Sequence, residues 1–373
     1  MSEAEASEAE RRESERLYVR IALKNGLVDE DQVAEAISVQ DKIRELGVSP
    51  KPLHEILLEK GFVDAAANER ILRHLKKVAS ATRIRGYTLI ERLGSGSMGT
   101  VFKARQDSLD RVVAVKVLAP FLTKNERYVN RFIKEAKVLA RLNHPNIVQC
   151  IDVGESEGHY YMAMEYCDGP TVLDVIHRGG RMAPERALNI ILQVARALEH
   201  AFEHEIIHRD VKPDNVMIIA GGTAKLCDLG LVKDLGSGGA STDQGSAMGT
   251  PNYIAPEQAR GDETVDARAD IYSLGASWYH MITGRPPFEH ANPASVMVAH
   301  INDMPIAPKD RCPDLDNETS RIVMKMLRKN PDDRYQTPSA LIRDLHKLAA
   351  RYGGAVPDAV DVPIVRSRKR RRR

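Results

Sequence analysis

His208-Arg209-Asp210-Val211-Lys212-Pro213-Asp214-Asn215 gathers an acid, a base and an amide acceptor into eight consecutive positions of a 373-residue chain. It is bracketed by the short apolar, strand-like runs Glu205-Ile206-Ile207 and Val216-Met217-Ile218. Pro213 forbids a regular helix through the polar part, because proline lacks the amide proton and clashes with the preceding turn. The stretch therefore reads as a rigid loop displaying Asp210, Lys212 and Asn215.

Outward from this loop, three more charges stand in apolar surroundings. Lys116 interrupts Val112-Val113-Ala114-Val115-Lys116-Val117-Leu118, where an ammonium is costly to bury without a partner. Glu135 falls on the helix face of Phe132, Leu139 and Leu142. Each explains the other if they pair, with the ammonium also meeting phosphate oxygens; either alone reads as a solvated edge charge. Asp228 closes the run Lys225-Leu226-Cys227, where a carboxylate suits a hard cation such as Mg2+ that bridges to substrate phosphates. The structural alternative is a turn residue capping a strand. Gly94-Ser95-Gly96-Ser97-Met98-Gly99 lies between strand-like Tyr87 to Leu93 and Val101 to Ala104, so it is a hairpin rather than a turn into a helix. Gly94, Gly96 and Gly99 leave backbone amides open to phosphates, the plainer reading being a flexible turn.

Length and composition set the frame. A 43% hydrophobic, 28% charged chain of this size buries a full core and exceeds one average domain, predicting two or three units. The formal charge of +2 hides an acidic residue 1–16 segment, a helical extension or disordered, and a basic Arg366 to Arg373 end. Cys150, Cys167, Cys227 and Cys312 have no zinc or disulfide spacing, which fits a reducing cytoplasm. No run approaches a membrane-spanning length, and no signal-peptide pattern opens the sequence.

Residues 17–80 contain a repeat. Leu23-Lys24-Asn25-Gly26-Leu27-Val28-Asp29 recurs, 35 residues on, as Leu58-Glu59-Lys60-Gly61-Phe62-Val63-Asp64. Gly26 and Gly61 sit where a left-handed helix stop is wanted, and Asp29 precedes Gln32 as in a capping box. Apolar residues then recur three and four apart, at Ala36, Val39, Ile43 and Leu46 and at Ile71, Leu75 and Val78, predicting two helical hairpins. The stretch resembles the small repeat domain at the N-terminus of bacterial type II secretion ATPases, whose copies look like Arg-Leu-Gly-x-x-Leu-Val-x-x-Gly and some of which bind cyclic di-GMP. Here Leu17 and Pro52 stand where the Arg would be, and Val19 and His54 where the first Gly would be, so a docking or self-associating module is the expectation ahead of nucleotide sensing.

After the basic linker Ala79 to Arg85, strands take over, with Arg111 to Leu118 as a third. Helical patterns dominate beyond Asn125, as in Glu185 to Glu203, where Leu188, Ile191, Ala195, Leu198 and Phe202 share a face. The set Gly94-x-Gly96-x-x-Gly99-x-Val101, Ala114-Val115-Lys116, Glu135, His208-Arg209-Asp210-x-Lys212-Pro213-x-Asn215, Asp228-Leu229-Gly230 and Ala255-Pro256-Glu257 resembles the eukaryotic-like Ser/Thr protein kinases of bacteria. The resemblance implies an α+β, bilobal kinase fold over residues 81–350, with a small β-rich lobe and a large helical lobe, preceded by the all-α repeat domain and followed by a basic tail at 351–373.

By the same resemblance, Lys116 contacts the α- and β-phosphates of ATP and pairs with Glu135, Asp210 accepts the acceptor hydroxyl's proton, and Lys212 neutralises the γ-phosphate in transit. Asn215 and Asp228 hold Mg2+, with Mn2+ as a substitute. Val101 and Ala114 join the nucleotide site; Met164 matches the gatekeeper; Glu165, Tyr166 and Cys167 form the hinge that reads adenine. Lys212 and Gly249-Thr250-Pro251 imply Ser/Thr specificity. Asp270 matches the anchor of the catalytic loop, and Arg334 the partner of Glu257. Leu229 replaces the usual Phe, and Met98 an aromatic residue often found at the glycine-loop tip. The Gly/Ser-rich run from Ser237 to Ser246 reads as an activation loop, with Ser241, Thr242 and Ser246 as phosphorylation candidates, Thr250 as a further regulatory position and Arg209 as the receiver of the phosphate. Protein substrates are the expected partners, without sequence-specific nucleic-acid binding; the basic tail suits anionic surfaces. The rival readings are a pseudokinase scaffold and a second-messenger-regulated module.

Overall fold

In the computed structural model the chain forms two compact units, Met1–Arg85 and Gly86–Arg373. The described residues are 15, 18, 19, 21–23, 25–45, 50–80 (backbone alone from 73), 84–96, 98–228, 251–262 and 264–353.

In the first unit, helical residues at 18, 19 and 21–23 are followed by α1 (Glu30–Glu45), α2 (Leu53–Glu59) and α3 (Ala65–Ser80). The two repeats leave their first helices identically. Gly26 and Gly61 adopt φ of 63° and 70°, and the next residue bonds back across the turn, Leu27 N to Ala22 O and Phe62 N to Leu57 O, both at 3.0 Å. Asp29 and Gln32 cap α1 reciprocally, at 3.0 and 2.8 Å, whereas Asp64 caps α3 one way, accepting from Ala67 N at 2.7 Å. The copies complete each other. Pro52 gives α2 no side-chain cap, and Glu15, from the segment before the first copy, accepts the Leu53 N–H instead, at 3.0 Å. Tyr18 donates across the copies to buried Asn68 at 2.6 Å. Ala36 and Ile71 are buried as their spacing predicts, while Leu46 and the side chains of Leu75 and Val78 lie outside the described residues.

The second unit opens with β1 (Tyr87–Gly96), β2 (Gly99–Gln106), β3 (Arg111–Leu118), β4 (Cys150–Ser156) and β5 (His159–Glu165), an antiparallel sheet in the order β1-β2-β3-β5-β4. The hairpin is longer than the sequence suggests: Gly94 pairs with Val101, Ser95 with Thr100 and Gly96 with Gly99, because backbone ladders need no side chains. Between β3 and β4 lies α4 (Glu126–Leu139), capped by the Asn125 side chain accepting from Arg127 N at 3.0 Å.

The rest is helical: α5 (Val172–Gly179), α6 (Pro184–Glu203), the short pair β6 (Val216–Ile218) and β7 (Ala224–Leu226), then α7 (Pro256–Arg260), α8 (Ala267–Thr283), α9 (Pro293–Asn302), α10 (Pro308–Arg311), α11 (Asn317–Met326) and α12 (Pro338–Arg351). One continuous core joins the sheet to α4, α6, α8, α11 and α12, with Trp278 and Tyr272 wholly buried on α8. This is a protein kinase fold: a β-rich small lobe on a helical large lobe.

Two expectations change. Leu188, Ile191, Ala195 and Leu198 are buried, but Phe202 is 41% exposed; it sits in the last turn of α6, where Ala201 points inward. Glu205-Ile206-Ile207 is not a strand. Glu205 takes a left-handed φ of 59°, Ile206 N bonds Ala201 O at 2.9 Å and Glu205 N bonds Phe202 O at 3.0 Å, so the segment is the stop of α6. Among the described residues no helix is long and apolar enough to cross a membrane.

Candidate active site

The residues of the loop 208–215 are held from beneath. Asp270, buried in the first turn of α8, accepts both the His208 and Arg209 backbone N–H groups at 2.7 Å. Burial pushes its carboxyl up to about 7, although those two bonds and the Arg209 charge pull the other way. Arg209 has φ 65°, a conformation costing about 1–3 kcal/mol for a residue with a Cβ. Gln258 of α7 fixes it from another side, donating to its carbonyl at 3.0 Å.

Pro213–Asn215 form a single 3-10 turn, which brings Asn215 back over Asp210. The Asn215 Nδ2 donates to the Asp210 carbonyl at 2.8 Å and to its Oδ2 at 3.1 Å, while Lys212 Nζ reaches the same Oδ2 at 3.0 Å. His208 links this loop to β7. Its Nδ1 accepts from Asp210 N at 3.3 Å, so the proton sits on Nε2, which lies 3.2 Å from the Cys227 carbonyl.

Lys116 projects from β3 opposite Val101 and joins two carboxylates: Asp228 Oδ1 at 2.9 Å and Glu135 Oε1 at 3.2 Å. Burial alone would depress the ammonium, but Asp228 and Glu135 outweigh it and its pKa is raised. The two acids differ in setting. The Glu135 side chain is 2% exposed, and burial holds its carboxyl above the ordinary range against the pull of Lys116. Asp228 is 47% exposed and is held below that range, first by Lys116. Its φ of 53° is left-handed as well. Cys227, immediately before it, donates through N to Asn215 O at 2.9 Å, which sets Asp228 beside the catalytic loop.

The three glycines are not equivalent. A Cβ on Gly99 would stand 1.9 Å from the Val117 carbonyl oxygen, so the β2–β3 contact itself demands glycine; at Gly94 and Gly96 a Cβ would meet nothing within 4 Å. Along the back of the cleft, Ala114 pairs with Met164, which pairs in turn with Cys150. Cys167 is buried, its thiol pushed up to about 11 by burial, and burial raises the Cys227 thiol further. Both behave as packing groups.

Thus Lys116, Glu135 and Asp228 form one set, Asp210, Lys212 and Asn215 another, and Gly94, Gly96, Gly99, Val101, Ala114, Met164, Glu165 and Cys167 belong to the strands and connection around them. Leu229, Ser241, Thr242, Ser246 and Thr250 lie outside the described residues. Sequence reasoning missed the Lys116 to Asp228 contact, 112 residues apart, and the Gln258 brace. It also missed the ion pair of Glu165 with Lys225 at 2.7 Å. Lys225 carries the same signal that exposed Lys116, a lysine within an apolar run.

Residues 87–345 match the family model of the protein kinase domain. The chain is 44% identical over 281 residues to the serine/threonine-protein kinase PknB of Mycolicibacterium smegmatis, covering 74% of this chain and 44% of that protein. It is 42% identical over 262 residues to a probable serine/threonine-protein kinase of Clostridium perfringens, covering 70% and 38%. Among solved structures, the Mycobacterium tuberculosis PknI kinase domain matches with a TM-score of 0.57 at 28% identity, over 72% of this chain and 98% of that one. The chain spans less than half the length of the curated relatives it matches.

Proposed function

The chain belongs to the protein kinase family, and we propose that it transfers the γ-phosphate of ATP to Ser and Thr hydroxyls of proteins. The observation that carries this reading is the double contact of Lys116 with Asp228 and Glu135 beside an Asp210 carboxylate oriented by Lys212 and Asn215. A scaffold that merely resembled a kinase would have no need to keep a buried ammonium between two acids, since such an arrangement is costly unless used.

Each group has a task. Lys116, kept cationic, meets the α- and β-phosphates, with Glu135 fixing its reach. The amides of the glycine hairpin cover the phosphates; Gly94 and Gly96, free of any packing demand, leave room for that approach. Adenine lies under Val101 and Ala114 against the backbone of Glu165 to Cys167, with Met164 behind. Asp210 orients the acceptor hydroxyl and takes its proton as the oxygen attacks the γ-phosphorus and the bond to ADP breaks. Lys212 neutralises charge on the moving phosphoryl group. The half-exposed Asp228 carboxylate and the Asn215 carboxamide oxygen are hard donors suited to Mg2+, which takes one or two protein oxygens and completes its shell with phosphates and water. When bound, that ion supplies charge stabilisation on the phosphate oxygens. Four free thiols fit a reducing, cytoplasmic setting. Arg209 receives a phosphate placed at Ser241, Thr242 or Ser246, and residues 17–80 serve docking or self-association.

The test is phosphate transfer from labelled ATP to a generic basic protein by the full chain and by Asp210→Asn, with mass spectrometry of the same incubations. Transfer to Ser and Thr that falls about 10^2 to 10^4-fold in the variant is expected. ATP binding without transfer in the unaltered protein would support the scaffold instead, and heat on titration with cyclic di-GMP would support a second-messenger sensor.

A further inference from the structure

Along β2 side chains alternate between faces, so Lys103, two residues past Val101, leaves the strand on the same side as Val101. Lys103 stands opposite Ala114, and Ala114 opposite Met164, which puts Lys103 on the roof of the slot assigned above to the base. Its ammonium has two partners. It lies 4.7 Å from the centroid of the Tyr166 ring, with Glu91 Oε1 on β1 at 3.6 Å, and its side chain is only 26% exposed. Tyr166 is itself fixed, because the preceding residue, Glu165, is tied to Lys225 at 2.7 Å and accepts the Gln149 N–H at 3.3 Å. A cation from the sheet thus spans the slot and rests on an aromatic face anchored to the opposite wall.

We propose that Lys103 and Tyr166 form a latch across the outer mouth of the nucleotide slot, and that Lys103 is a positioning residue that sets how long the base stays bound. The Tyr166 hydroxyl, and then the charges of Glu91 and Asp168, raise the Lys103 pKa, so the cation persists at any pH of interest. A lysine over a partly desolvated tyrosine face contributes enough to slow release several-fold. A mere strut would instead stiffen the sheet without changing nucleotide exchange. The proposal rests on the nucleotide-binding reading given above.

The experiment uses the full chain as Lys103→Met, Tyr166→Leu, the double variant and Lys103→Arg. It measures kcat, KM for ATP and the release rate of the fluorescent probe mant-ADP. Lys103→Met keeps the apolar stem and removes only the charge. About fivefold faster release and an about fivefold higher KM are expected in each single variant, with kcat not reduced in Lys103→Met. The double variant should be no worse than either, and Lys103→Arg should recover most of the loss. Release and KM within twofold of the unaltered protein in Lys103→Met would overturn the latch, as would single effects that multiply in the double variant. If the unaltered protein neither binds mant-ADP nor transfers phosphate, the underlying reading fails; if it does both and Lys103→Met matches it, only the latch fails.

Discussion

Arg334→Leu removes the most heavily used side chain of the large lobe. The guanidinium is 0% exposed and its partner Glu257 5% exposed. It donates to the Glu257 carboxylate at 2.7 and 2.8 Å, and to the carbonyls of Arg268, Arg328 and Lys329 at 2.9, 2.7 and 3.0 Å. Its plane also faces the Tyr272 ring at 4.8 Å. Truncation leaves a buried carboxylate and three carbonyls without this donor. Breaking a buried pair on one side costs about 3–5 kcal/mol, because the survivor keeps its desolvation penalty and loses its compensation. For a lobe of this size, that lowers Tm by about 6–20 °C. Scanning calorimetry on the full chain reads the transition directly, and a shift under about 3 °C would refute the reasoning. A second variant isolates the cause: Glu257→Leu with Arg334→Leu leaves no orphaned charge and should recover a large part of the loss, since the two effects are coupled. If the double variant loses the full sum of the two singles, the pair is not what holds the lobe.

Asp270→Asn tests the anchor through pH. The raised carboxyl means the folded protein holds a proton that the unfolded chain releases between roughly pH 4 and pH 7, so this group's contribution to stability is complete below that window and is lost as pH rises through it. The asparagine does not titrate; the stability advantage of Asp270 over the variant, read by denaturant unfolding, should shrink from pH 4 to 7 and then level off. Activity should move the opposite way, because the ionised carboxylate accepts both backbone N–H groups more strongly than the protonated acid, and the kcat ratio should grow to about tenfold by pH 8. A constant ratio across that range would count against the anchor. Gly99→Ala forces a Cβ against the Val117 carbonyl and should destabilise the small lobe by about 1–3 kcal/mol in thermal unfolding. Gly96→Ala has open space, so it should leave Tm unchanged while weakening ATP binding in calorimetry; equal stability losses would show that packing alone explains both glycines.

What the sequence made legible were charges in the wrong company. Lys116 and Glu135 are conspicuous because burying either alone is costly, whereas Asp270 and the Glu257 to Arg334 pair were reached only through the family resemblance. The catalytic loop was readable because Pro213 excludes a helix. What stayed hidden depends on distance or on backbone. No local pattern tells Lys116 that Asp228 is its second partner, and the ladder through Gly94 to Gly99 uses groups that every residue has. The strand expected at Glu205 to Ile207 failed because a left-handed glutamate ended α6, a conformation glycine usually signals. Glu15 capping α2 was invisible because a cap borrowed from 38 residues earlier leaves no trace near Leu53. Lys103 and Tyr166 are unremarkable as single residues; only the pairing of β2 with β3, and of β3 with β5, brings them to one opening.

Two of the left-handed residues, Arg209 and Asp228, lie at the site itself and explain why so much of the large lobe is committed to so small a site. Arg209 and Asp228 each sit in a conformation that costs about 1–3 kcal/mol, and each directs a neighbour that matters: Asp210 follows the first, and the second is itself the exposed carboxylate. Neither strain is relieved locally. Asp270 takes the two N–H groups before Asp210, Gln258 takes the Arg209 carbonyl, and Gln258 sits next to the Glu257 that Arg334 fixes. From the same loop, His208 donates to the Cys227 carbonyl, and Cys227 bonds back to Asn215, so the strain at Arg209 and that at Asp228 are held by one hydrogen-bonded chain rooted in α8. The carboxylates of Asp210 and Asp228 are therefore tied through one network to α8, and Asp228 is in turn one of the two acids that Lys116 meets.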